Sequence, residues 1–190
     1  MRKLIISEFI TLDGVIQAPG GKEEDTDGGF THGGWVVAHW DDGIGESIME
    51  AAKGADALLL GRRTYVGHAT AFEPNPDEDP FKSLPTKYVV SKTLTKSLWR
   101  GTSIISDEPI AAIRKIKAME GANILLDGSS QLAHALFAHD LVDELHLITF
   151  PIVLGGGKRL FPNDVNSKFK LLNVSKPLPN GVFTLHYARA

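Results

Sequence analysis

The sequence predicts a mostly parallel α/β domain, layered helix, sheet, helix, that closes on an antiparallel pair of strands. Three observations predict it. Short apolar runs at residues 57–60 and 124–126 each end at a glycine turn and lead into helical periodicity, the pattern of buried parallel strands with crossover helices. Strand and helix patterns of this kind alternate through most of the chain. The last two strand-like runs, 169–174 and 182–187, are instead joined through the turn residues Pro177, Pro179, Asn180 and Gly181.

Residues 3–10, dominated by β-branched and aromatic side chains, form the first strand and turn at Asp13-Gly14, where Asp13 is a turn former. Residues 18–40 are a long glycine-rich loop that mixes acids with Phe30, His32, Trp35 and Trp40. Its aromatics predict an ordered wall of a binding site rather than a disordered segment. Residues 44–53 form a helix with Ile44, Ile48 and Met49 on one face, capped by Asp41 or Asp42 and ended by Gly54. The strand 57–60 runs into Gly61-Arg62-Arg63-Thr64. There, glycine permits close approach, and a helix N-terminus, two guanidinium groups and a hydroxyl suit a phosphate.

Residues 72–86 are a proline-rich acidic loop, 87–90 a strand followed by Ser91-Lys92-Thr93, and 102–105 another strand. Pro109 opens a helix that reaches residue 119, with Ile110, Ile113 and Ile116 inward. The strand 124–126 ends in Asp127-Gly128-Ser129-Ser130-Gln131. Ser129 or Ser130 caps the next helix, whose Leu132, Leu136 and Phe137 face the sheet. Backbone N–H groups at that turn offer a second seat for a polar or phosphate group. Leu145 and Leu147 lie in the following strand, and Pro151–Phe161 is a glycine-bearing loop.

The chain has 190 residues, 43% of them hydrophobic and 23% charged, with net charge -3 and no cysteine. These values predict one soluble cytoplasmic domain spanning residues 1–190, with no disulfide, no thiol nucleophile and no nucleic-acid surface. No run approaches the ~20 apolar residues of a membrane span, and no signal peptide is expected. The seven histidines lack metal spacing, so no structural metal is expected. Gly155-Gly156-Gly157-Lys158 fails as a P-loop because Ile152 stands where a glycine is needed and Arg159 where Ser or Thr is needed. A serine-hydrolase elbow at Gly128-Ser129-Ser130-Gln131-Leu132 fails at Leu132.

Taken together, Leu12-Asp13-Gly14, Gly61-Arg62-Arg63-Thr64, Asp127 to Leu132, Leu141-Val142-Asp143-Glu144-Leu145 and the 151–161 loop resemble the reductase domain of the bifunctional riboflavin biosynthesis protein. That domain has the dihydrofolate reductase-like fold, and the resemblance covers nearly the whole chain. The deaminase half of the bifunctional protein has no counterpart, since its cysteine ligands are missing. The resemblance implies an NADPH-dependent reductase acting on a heterocycle or ring-opened aminopyrimidine, similar to 5-amino-6-(5-phosphoribosylamino)uracil reductase, and a homodimer. It implies that Gly61, Arg62, Arg63 and Thr64 hold the cofactor phosphates, Ser91 and Lys92 the ribose 2′-phosphate, and Gly128, Ser129, Ser130 and Gln131 the pyrophosphate. Ile16 would flank the nicotinamide, while Phe30, Trp35 and Met49 would contact substrate. Dihydrofolate reductases carry a pterin-binding carboxylate on the helix after the first loop. Here ungapped counting from Gly61 puts Gly45 in its place, leaving Glu46 and Asp42 as catalytic candidates. That departure keeps a non-catalytic nucleotide- or pterin-binding module, or a true dihydrofolate reductase, open as alternatives.

Overall fold

The strand β2 (Ala55–Gly61) carries Leu58, Leu59 and Leu60, all essentially closed to solvent. A strand that is apolar on both faces needs cover on both. The computed structural model, which describes residues 1–190, supplies it. The other strands are β1 (Leu4–Thr11), β3 (Thr86–Val90), β4 (Thr102–Ile105), β5 (Asn123–Leu126), β6 (Glu144–Phe150), β7 (Phe169–Val174) and β8 (Phe183–Arg189). They join β2 in one sheet of order β4-β3-β2-β5-β1-β6-β8-β7. Every pairing is parallel except β6 with β8 and β7 with β8. The fold is therefore the predicted dihydrofolate reductase-like one, with its antiparallel end.

The helices α3 (Pro109–Ala118) and α4 (Ser130–Ala138) cover one face, where Ile113, Leu132, Leu136 and Phe137 pack on Leu4, Ile6, Leu59 and Leu126. The helices α1 (Asp42–Ala52) and α2 (Arg62–Phe72) cover the other, where Ala51, Tyr65 and Ala69 pack on Ile5, Leu58, Leu60 and Leu125. Asp41, not Asp42, caps α1, accepting from the Gly43 N–H at 2.9 Å. Ser129 stands at the N-cap of α4, but its hydroxyl makes no capping bond. No helix is long and apolar enough to cross a membrane.

The long loop after β1 divides by composition. Its aromatic half is core: Phe30, Trp35 and Val36 are buried with Val15, Ile44, Ile148 and Phe150. The Trp35 indole Nε1 donates to the Gln17 carbonyl at 2.8 Å, which satisfies its one polar atom. Phe30 and Trp35 are thus core residues and do not line the large cleft described below. Met49 is 54% exposed on α1, turned away from the face that Ile44 buries.

Between β6 and β8, His146 lies opposite His186, and its Nδ1 is buried without a hydrogen-bond partner. Burial, and then the neighbouring His186, push the His146 imidazole down to about 4. The unfolded chain therefore takes up a proton near pH 6.5 that the folded chain refuses. Stability is complete above about pH 6.5 and is lost as pH falls toward about 4, by up to roughly 3 kcal/mol from this group. Urea midpoints at pH 7 and pH 4.5 should fall further for the wild type than for His146→Leu. An equal fall in both would remove His146 as the cause.

Candidate active site

The strands β2 and β5 are neighbours, yet their crossovers leave on opposite faces, α2 on one and α4 on the other. A gap opens beyond their carboxyl ends, as it must at such a switch of direction. It is a cleft of about 1180 Å³. Its floor is tied across the strands, since the Gly61 N–H donates to the Gly128 carbonyl at 3.1 Å.

Both helix N-termini at this gap are uncapped by side chains, which leaves their first N–H groups open to a ligand. The two turns touch. A Cβ on Gly61 would collide with the Ser129 hydroxyl, and one on Gly128, whose φ is +70°, would lie 2.6 Å from Thr64 Oγ1. Small residues are needed here because two backbones and any ligand converge.

Every predicted cofactor residue lines this cleft: Ile16, Gly61, Arg62, Arg63, Thr64, Ser91, Lys92, Gly128, Ser129, Ser130 and Gln131. Their present engagements differ. The Ser91 Oγ accepts from the Thr93 and Leu94 N–H groups at 3.2 and 2.9 Å and so shapes the turn that carries Lys92. Arg62 and Lys92 are exposed and make no ion pair. Arg63 is taken up by the polar half of the loop. Its Nη1 lies 2.7 Å from Asp25 Oδ1 and 2.6 Å from Asp27 Oδ2. Lys158, from the glycine-bearing loop, meets the same acids at 2.5 and 2.8 Å. Hydrogen bonds to Arg63 and Lys158 hold the Asp27 carboxyl down at about 2. Gln17 pins this strap from below, with Nε2 donating to the Asp25 and Asp27 carbonyls and Oε1 accepting from the Lys158 N–H. Asp13 is a turn former, as expected. It also accepts from the Leu154 and Gly155 N–H groups and so ties the first turn to the glycine-bearing loop.

The structure does not bring the proposed catalytic acids here. Glu46 and Asp42 are exposed on α1 and do not line the cleft. Both occupy the solvent-facing stripe of an amphipathic helix whose other side packs Ile44, Ala51 and Ala52. Acids that the sequence reading passed over do line it: Glu8, Glu24 and Asp127, with His68 beside them. The His68 Nε2 lies 2.6 Å from Asp127 Oδ2. Burial pushes the Glu8 carboxyl well above the usual carboxylate range, as does the charge of Asp127, against one hydrogen bond from the Gly128 N–H. A signal for Glu8 existed in the sequence, an acid within a strand that is otherwise apolar or small.

Cations, uncapped amides, hydroxyls and the apolar Ile16 line this one cleft, a lining that suits a phosphate-bearing ligand. The chain's similarities identify its family and fold. Residues 2–182 match the RibD C-terminal domain. The uncharacterized protein YyaP of Bacillus subtilis (strain 168) is 29% identical over 193 residues, spanning 98% of this chain and 94% of YyaP. A pyrimidine reductase-like protein from Corynebacterium diphtheriae superposes with a TM-score of 0.67 at 14% identity, over 100% of this chain and 92% of its own. Dihydrofolate reductase from Enterococcus faecalis, complexed with NADP(H) and RAB-propyl, gives 0.64 at 18% identity, over 98% and 96%. At these identities the two structures speak for the fold alone.

Proposed function

This chain belongs to the RibD C-terminal domain family, and from that membership we propose that it is an NADPH-dependent reductase of a small heterocyclic or ring-opened aminopyrimidine substrate. One observation carries the reading: two uncapped helix N-termini meet the unpaired cations Arg62 and Lys92 at a single cleft. The amides at the start of α4, with Ser129, Ser130 and Gln131, would hold the pyrophosphate, and those at the start of α2, with Thr64, the adjoining phosphate oxygens. Arg62 and Lys92 would meet the 2′-phosphate. Ile16 would pack on the nicotinamide, which supplies the hydride when bound.

A true dihydrofolate reductase is disfavoured, because none of the α1 acids Asp42, Glu46 and Glu50 reaches the cleft. The test is loss of the reduced-nicotinamide absorbance with 5-amino-6-(5-phosphoribosylamino)uracil and related aminopyrimidines. Tight NADPH binding without oxidation across that panel would favour a non-catalytic binding module.

The strap also bears on affinity. Asp25 and Asp27 compete with phosphate for Arg63, so the double variant Asp25→Asn, Asp27→Asn should bind NADP+ more tightly in calorimetry. The gain should be up to about fivefold, the scale of an exposed ion pair. Weaker binding would mean that the acids help build the phosphate seat. We also propose a homodimer formed along β7, an edge strand that exposes Leu171, Leu172 and Val174 about halfway.

A further inference from the structure

We infer that Glu8 is the proton donor of the proposed reduction, an assignment that rests on the reductase reading above. Glu8 lies on β1 between neighbouring strands, is 8% exposed, and faces the cleft near Ile16. Its Oε1 accepts from the Gly128 N–H at 2.8 Å. Its Oε2 makes no hydrogen bond and is the atom left to meet a ligand. No cation pairs with it. The charged groups facing it are Asp127 at the end of β5 and Glu24 from the loop, both acids; His68 from α2 lies beside those two. The His68 imidazole is already engaged, 2.6 Å from Asp127.

A carboxyl group buried among acids keeps its proton, since ionising it would place a second charge in a poorly solvated site. Burial and Asp127 accordingly push Glu8 well above the ordinary range, and the Gly128 N–H only partly opposes them. A neutral carboxylic acid in a cleft at neutral pH is a donor by environment rather than by sequence motif.

The step balances. A substrate carbon–nitrogen or carbon–oxygen double bond receives the cofactor's hydride at carbon. The π pair moves to nitrogen or oxygen, and the proton on Glu8 Oε2 joins it there. An amine or alcohol, oxidised nicotinamide and a Glu8 carboxylate result. The Asp127 charge then favours prompt reprotonation of Glu8 from water, and the partly exposed Asp127–His68 pair lies on the solvent side of the cleft.

The test combines infrared spectroscopy of the full chain with turnover. Wild type at pH 7 should show the carbonyl stretch of a protonated carboxylic acid that Glu8→Gln lacks. In Asp127→Asn the same band should titrate at lower pH, which keeps the test open if Glu8→Gln fails to fold. With NADPH and 5-amino-6-(5-phosphoribosylamino)uracil, Glu8→Gln should be slower by at least about 100-fold, with NADP+ affinity little changed. A wild type that binds NADP+ but lacks the band overturns the Glu8 assignment alone, as does a Glu8→Gln variant of unchanged rate. Failure of the wild type to bind NADP+ overturns the reductase reading, and the role of Glu8 with it.

Discussion

Replacing Phe150 with alanine is expected to destabilise the protein by about 3–5 kcal/mol, the usual range for an aromatic side chain removed from a packed core. Phe150 ends β6 with no solvent exposure. It meets Phe9 edge-on at 5.5 Å and Trp35 edge-on at 5.2 Å between ring centroids. Such pairs add to simple area burial. The cavity would open beneath the long loop, because Trp35 and Val36 are the loop's anchors in this cluster. Denaturant unfolding measures the loss, and faster proteolysis between residues 20 and 35 should accompany it. A loss below about 1 kcal/mol would mean that the loop's aromatic half is not part of the core.

Arg62→Ala and Lys92→Ala should each weaken NADPH by about tenfold or more while leaving NADH nearly unchanged. A charge-assisted hydrogen bond to phosphate contributes about 1.5–3 kcal/mol, and each 1.4 kcal/mol is tenfold. Both side chains line the cleft without a carboxylate partner, so their charge is available to a ligand. Arg63 should matter less, because Asp25 and Asp27 already neutralise it. Equal weakening of both cofactors in a variant would place that side chain on the shared phosphates instead of the 2′-phosphate.

The strands, the helices and the two glycine turns that line the cleft were legible in the sequence because local rules govern them. Leu58 to Leu60, a short apolar run ending at Gly61, read as buried strand, and the glycine before Arg62 as the close-packed start of a helix. Pro109 at the first position of α3 and the Leu132, Leu136, Phe137 stripe of α4 read just as directly. What the sequence hid was three-dimensional. Phe30 and Trp35 look like loop aromatics until Phe150, more than a hundred residues on, is folded against them. The ion cluster of Asp25, Asp27, Arg63 and Lys158 joins three separate segments, and no spacing rule links them. Glu8 escaped because an acid on a strand ordinarily marks a solvent-facing position, whereas β1 is central and covered on both faces. Glu46 and Asp42 attracted notice through resemblance, and the register of α1 turns both outward.

The most direct test of the cofactor assignment is a titration of the purified protein with NADPH and with NADH, at low and at high salt, followed by fluorescence or calorimetry. With Arg62, Ser91 and Lys92 receiving the 2′-phosphate as proposed, NADPH should bind at least about tenfold more tightly at low salt. The gap should narrow as salt screens the contact. Equal affinities at low salt, or a preference for NADH, would contradict the assignment of this cleft to NADPH.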